Sequence, residues 1–223
     1  MKETSGLPNW GAVLAVVAHP DDESFGLGAV LSTFADGGAD VDVLCLTRGE
    51  ASTLHGVVGD LSRIREHELR AAADALGARW VTLRALPDGG LADLEPSALD
   101  DEVERALGRT RPDGLVVFDS TGISGHPDHV AATAAAVRAG ARHGLPVLAW
   151  TLPEEICGRL AGEGYAGFLG RPGGEIDLAL TVDRTAQLTA VECHPSQAVP
   201  GSVLWRRLEL QGDDEHLRWL RRP

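Results

Sequence analysis

The chain has 223 residues, with 33 acidic against 20 basic side chains and a formal charge of −13 at pH 7. This length fits one compact domain whose core needs no disulfide or structural metal. A surface so negative excludes general nucleic-acid binding, which requires an excess of Lys and Arg.

Residues 12–18 (AVLAVVA) are a short continuous apolar run, the pattern of a strand buried on both faces. Residues 24–36 read as a helix and 41–46 (VDVLCL) as a second strand. In 61–76, Leu61, Ile64, Leu69, Ala72, Ala73 and Leu76 recur at helical spacing, and Gly77 stands where a C-cap belongs. Residues 80–83 are a third strand, 96–107 a helix, 114–118 (GLVVF) a strand, 127–141 an alanine-dense helix and 146–152 a further strand. The Gly-rich stretch 153–174 reads as a loop beside the substrate. A late strand over 176–182 and a late helix over 184–192 complete the series. Strands alternating with helices predict a single α/β domain over 1–223, Rossmann-like, its mostly parallel sheet carrying helices on both faces. The core is expected over about 12–197. The tail, 198–223, offers Trp205, Leu208, Leu210, Leu217, Trp219 and Leu220 either to a partner subunit, giving a homo-oligomer, or back to the core.

In such sheets ligands bind beyond the carboxyl ends of the strands. Two clusters stand there: His19-Pro20-Asp21-Asp22-Glu23 after the first strand, and Gly125-His126-Pro127-Asp128-His129 after GLVVF. His19 and Asp22 are three residues apart, as are His126 and His129, so each pair can face one point at a turn into a helix. Two neutral imidazoles and one carboxylate make a three-ligand zinc set with a fourth position open. That arrangement suits metal-assisted hydrolysis, the remaining carboxylate and histidine serving proton transfer and transition-state charge. Spacing alone leaves open which Asp and which His of each cluster binds the metal.

The two clusters resemble those of the zinc-dependent N-deacetylases related to PIG-L, also called LmbE-like proteins. Arg65-x-x-Glu68-Leu69 running into Ala72, Ala73, Leu76 and Gly77 adds to the match. So, more weakly, do residues 47–50, Asp88-Gly89 and His194-x-Ser196-Gln197. The resemblance implies His19, Asp22 and His129 as metal ligands, Asp21 as general base and His126 as the group that stabilises the oxyanion or acts as acid. It implies Zn2+ as the cofactor, although the same His2Asp set can hold Fe2+. The substrate it implies is a small N-acyl amino sugar or glycoside. Arg65 is then expected on substrate hydroxyls or phosphate and Asp88 on sugar hydroxyls. Arg48 stands at the mouth or in water, and His194 either closes the site from the late helix or lies on the surface. Many thiol-cofactor members carry a tyrosine where this chain has Ser124, and Tyr165 is the sole tyrosine.

Gly26-Leu27-Gly28 suggests a dinucleotide fingerprint, but Leu31 replaces its third glycine, and close helix–sheet packing explains the pair better. Cys45, Cys157 and Cys193 are too scattered for a disulfide framework or a metal knuckle. Residues 1–8 carry no apolar signal region and no apolar run reaches about 18 residues, so a cytoplasmic protein that does not span a membrane is expected.

Overall fold

In the computed structural model, which describes residues 6–53 and 58–223, the first apolar run is β1 (Ala12–Val17). Of the segment read for a leader, residues 1–5 lie outside the described part. Val13, Ala15 and Val17 face one core cluster, while Leu14, Val16 and Ala18 face the other. Burial on both faces is why the run is apolar without a break. Beside β1 lie β2 (Asp40–Thr47), β3 (Trp80–Leu86), β4 (Gly114–Phe118) and β5 (Val147–Thr151), all parallel to it. Strands β6 (Leu178–Thr181) and β7 (Asp214–Arg221) complete one sheet of order β3-β2-β1-β4-β5-β7-β6.

The helices are α1 (Asp22–Phe25), α2 (Gly28–Asp36), α3 (Leu61–Ala75), α4 (Pro96–Thr110), α5 (Gly122–Gly125), α6 (Pro127–His143), α7 (Glu154–Gly162), α8 (Thr185–Glu192) and α9 (Val203–Gln211). Leu31 and Phe34 of α2 pack with Leu69 and Ala72 of α3 on one face of the sheet. On the other, Leu99 and Val103 of α4 pack with Ala132, Ala135 and Ala139 of α6. The expected single α/β domain with helices on both faces is therefore what forms. No helix among the described residues is long and apolar enough to cross a membrane.

Three expectations are corrected. The helix read over 24–36 is two, α1 and α2, broken at Gly26 and Leu27. A Cβ on Gly26 would collide with the Phe118 ring, so this glycine admits close approach of helix to sheet and forms no part of a nucleotide loop. The 153–174 stretch is not one loop, for its first half is α7, with Ile156, Cys157 and Leu160 buried. Arg171 then returns to the sheet and holds Asp119, at the end of β4, through Nη2 at 2.7 Å.

The tail is the third correction. It adds α9 and then β7, which inserts antiparallel between β5 and β6. Leu217 is fully buried, and Trp219 meets Trp10 edge-on at 5.9 Å between ring centroids. The core thus extends well past residue 197, and this apolar surface is turned inward. Alternation predicts Glu215 no better than its neighbours, yet it is fully buried. It accepts hydrogen bonds from Trp150 Nε1 and Arg184 Nη1, each at 2.5 Å, and from Gln211 Nε2 at 3.3 Å.

Removing one partner from a buried ion pair leaves the other charge uncompensated. Glu215→Ala is therefore expected to lower the free energy of unfolding by about 3–5 kcal/mol, measured by urea denaturation. A loss below about 1 kcal/mol, the level of an exposed pair, would show that Arg184 does not depend on Glu215.

Candidate metal centre

β1 and β4 are neighbours in the sheet, but the chain leaves them in opposite directions, toward β2 and toward β5. The turns after these two strands carry the two motifs and meet in the crevice between. There His19 Nδ1 lies 3.1 Å from His129 Nε2. Asp22 Oδ1 lies 3.1 Å from that same Nε2, and Asp22 Oδ2 lies 3.6 Å from His19 Nδ1. A tetrahedral ion with ligand bonds of about 2.0–2.1 Å needs donors about 3.3 Å apart. The His19–His129 and Asp22–His129 spacings are near that value, and Asp22 approaches His19 through its other oxygen.

Each donor is oriented by a second hydrogen bond. His19 Nε2 lies 3.1 Å from Asp88 Oδ1 and 3.2 Å from Asp128 Oδ2, so in the neutral ring the proton is on Nε2 and Nδ1 presents its lone pair. His129 Nδ1 donates to the Gly122 carbonyl at 3.1 Å, which leaves Nε2 free to bind. Asp22 Oδ2 accepts from the backbone N–H of Ala18 and of His19, at 3.1 and 2.9 Å, and Oδ1 faces His129. Two other groups bring ligand atoms within 4.8 Å of one another: His19 with His126 and His129, and His19 with Asp88 and Asp128. Asp128, however, uses both oxygens on the N–H groups of Gly89 and Leu91, at 2.8 and 2.9 Å. The His19, Asp22 and His129 set is the one whose remaining hydrogen bonds all support it.

Carboxylates dominate the charge around the two imidazoles. Burial alone would depress His19, but the carboxylates of Asp128, Asp88, Asp22 and Asp21 outweigh it and push the imidazole up to about 10. For His129 too, burial is outweighed by Asp22, and its pKa is raised. Burial opposes the ionised form of Asp22, yet His129 and His19 hold it well below the usual carboxylate range.

Asp21 and His126 stand beside this triangle without belonging to it. Burial raises Asp21 to about 6, against the pull of the Arg65 guanidinium, whose Nη2 donates to Oδ2 at 3.0 Å. Asp21 is also the N-cap of α1 with φ 125°, a conformation costing a non-glycine residue about 1–3 kcal/mol. His126 caps α6, its Nδ1 accepting from the N–H of Asp128 at 3.2 Å, so in the neutral ring the proton is on Nε2. Burial and the neighbouring His129 and His19 lower its pKa, which favours that neutral form.

A cavity of about 440 Å³ opens over these groups, lined by His19, Asp21, Asp22, Phe25, Ala51, Ser52, Arg65, Asp88, Gly89, His126, His129 and Gln197. Of the outer residues singled out in the sequence, Arg65 and Asp88 reach its wall. Arg65 is only 3 % exposed and already donates to Gly49 O at 2.6 Å, to Pro20 O and to Asp21. Gly49, at φ 65°, has no room for a Cβ against that guanidinium. The expectation of Arg65 on substrate is thus joined by a contact the sequence did not disclose, its grip on Asp21. Asp88 shows one oxygen to His19 and accepts the Ala51 N–H on the other at 2.7 Å.

Arg48, Ser124 and His194 do not line the cavity. Arg48 lies 3.8 Å from Glu66, and Ser124 is exposed on α5. His194 is fully buried, 2.8 Å from Glu23 Oε1, so it neither closes the mouth nor faces water. Sequence reasoning misses Asp128 and Glu23 as functional groups. Their signal is membership of the two motifs, where each counts only as a spare carboxylate.

The sequence model of GlcNAc-PI de-N-acetylase (PIG-L) matches residues 14–140. A 1D-myo-inositol 2-acetamido-2-deoxy-alpha-D-glucopyranoside deacetylase of Kineococcus radiotolerans is 35% identical over 158 residues, which cover 57% of this chain and 44% of that protein. The chain thus spans about half the length of the curated relatives it matches. Among solved structures, a triple mutant of the deacetylase Orf2 of the teicoplanin biosynthetic pathway is 25% identical with a TM-score of 0.72, covering 95% of this chain and 98% of that one. The 4-carboxy-2-hydroxymuconate hydratase GalB of Pseudomonas putida KT2440 is 20% identical with a TM-score of 0.69, covering 95% and 97%. Deacetylase and hydratase share this fold, so fold alone does not name the reaction. The family match takes in both His-Pro-Asp motifs and more than half of the 223 residues, and the chain belongs to the PIG-L family.

Proposed function

We propose that the chain is a metal-dependent N-deacetylase that hydrolyses the acetamide of an amino sugar or its glycoside. The observation that carries this reading is the convergence of His19 Nδ1 and the Asp22 carboxylate on His129 Nε2, with a carboxylate and a neutral imidazole left over beside it. A zinc ion, or Fe2+ in its place, would supply a Lewis acid there that acidifies water and polarises the acyl carbonyl.

The chain's own residues do the rest. Asp21 takes a proton from the attacking water. Arg65 holds Oδ2 of that carboxylate, and among the described residues Oδ1 has no hydrogen-bond partner. His126, its Nδ1 committed to the α6 N-cap, offers Nε2–H to the carbonyl oxygen as negative charge grows on it. When the C–N bond breaks, the proton held by Asp21 passes to the leaving nitrogen, giving the free amine and acetate. Asp88 is the acidic group on the wall suited to sugar hydroxyls. The deacetylases named above are one for 1D-myo-inositol 2-acetamido-2-deoxy-alpha-D-glucopyranoside and one of the teicoplanin biosynthetic pathway, and the first supports this substrate class. We also place the protein in the cytoplasm, in keeping with its three free cysteines.

Amine release from a panel of N-acetylglucosaminides is expected to require zinc or Fe2+ and to stop on chelation. Release that persists after chelation, with no metal in the protein by elemental analysis, would overturn the reading. Asp21→Asn is expected to keep wild-type metal content while turnover falls by about 10²–10⁴, whereas His129→Ala is expected to lose the metal itself. Turnover retained in Asp21→Asn would remove Asp21 from the reaction.

A further inference from the structure

Beneath the centre lies a second set of charges that the proposed chemistry does not use. Glu23, His194 and Glu68 come from α1, from the turn after α8 and from α3. Glu23 and His194 are fully buried, and Glu68 is 6 % exposed. His194 Nε2 lies 2.8 Å from Glu23 Oε1, which also accepts from Ser24 Oγ at 2.6 Å. On its other side, His194 Nδ1 is buried without a hydrogen-bond partner, 4.0 Å from Glu68 Oε2. Glu68 is itself held by Ser196, through N–H at 3.0 Å and Oγ at 2.6 Å.

The second oxygen of Glu23 shows what this arrangement holds. Oε2 accepts the backbone N–H of Asp21 at 2.9 Å. Asp21 is one of three non-glycine residues with positive φ among the described residues. Its carbonyl accepts from Ser24 and Phe25 N–H, at 3.0 and 2.7 Å, as expected of a helix cap. Those carbonyl bonds form at any helix start and do not demand φ 125°. What the Asp21 N–H meets in this conformation is the Glu23 carboxylate, two residues ahead and inside the fold. With the N–H turned in, the Asp21 side chain lies against Arg65 on the cavity wall.

We propose that Glu23, clamped by His194, is a positioning residue that holds the strained Asp21 backbone and thereby aims its carboxylate into the cavity. The proposal rests on the reading of Asp21 as general base. Neither Glu23 nor His194 lines the cavity, so both act through Asp21.

The test replaces both partners of the clamp by apolar side chains, Glu23→Leu with His194→Phe, which keeps the interior filled and removes the pair together, while Glu68 keeps its two hydrogen bonds from Ser196. In crystals of this double variant Asp21 is expected to leave positive φ, with His19, Asp22 and His129 unmoved and metal content unchanged. Turnover is expected to fall about 10²-fold, the effect of a misplaced reacting group, with KM within a few-fold of wild type. Glu23→Gln keeps an acceptor for the Asp21 N–H and is expected to retain both positive φ and most of the turnover. In an Asp21→Asn background the double variant is expected to cost nothing further, since groups acting through one residue are not additive. Asp21 still at positive φ without Glu23, or an equal loss in both backgrounds, would overturn the proposal. Should the wild type hydrolyse no acetamide at all, the deacetylase reading fails, and the Asp21 conformation in the variant crystals still decides the role of Glu23.

Discussion

Two adjacent parallel strands whose chains depart in opposite directions leave a gap that no connection can cross. β1 and β4 are such a pair, joined in register from Val13 and Gly114 to Ala15 and Val116. The segment leaving each strand must turn over that strand's own end, and both turns look into the same gap. Residues 110 positions apart in the chain thereby place ring nitrogens 3.1 Å apart. Every other feature of the site elaborates this junction. The cap of α1 brings Asp22 beneath His19, and the cap of α6 brings His129 and His126 above it.

The junction collects negative charge. Asp21, Asp22, Asp88 and Asp128 all act on His19, and such a concentration is tolerated only because each carboxylate has donors of its own. Asp22 and Asp128 take theirs from backbone N–H groups and Asp21 takes one from Arg65. Further bonds orient the rings, His19 through Asp88 and Asp128, His126 through the Asp128 N–H and His129 through the Gly122 carbonyl. A group oriented in this way reaches its working position without rearrangement, which is the preorganisation that electrostatic catalysis relies on.

Legibility in the sequence followed the range of the interactions. The apolar runs of β1, β2 and β4 report burial on both faces, a local property, and so these strands could be placed at once. The two motifs hold ligand and neighbour within a few residues, so they too could be read. Arg65 was expected on substrate from the family resemblance, and its motif does not show that Pro20, Gly49 and Asp21 occupy its Nη1 and Nη2 groups. His194 stood open between closing the site and lying on the surface, because its partner, Glu23, is 171 residues away. The tail stood open between a partner subunit and the core for a related reason: an apolar stretch shows that something covers it, and the pairing of β7 with β5 and β6 is a property of the whole sheet. Glycine content made 153–174 look irregular, although α7 uses Ile156, Cys157 and Leu160 to bury one face within it.

The insertion of β7 between β5 and β6 has a bearing on the order of assembly. Strands β1 to β5 can pair as they are made, each beside one already present. β6 cannot, for its partner in the sheet lies more than thirty residues further along the chain. The carbonyls of Ser24 and Phe25, at the end of α1, wait on the same region, since they are held by Gln187 of α8 and Arg207 of α9. Such long-range closure is slow relative to local pairing. The five parallel strands can therefore pair before the C-terminal segment closes over α1, and that one segment completes both the sheet and the backing of α1.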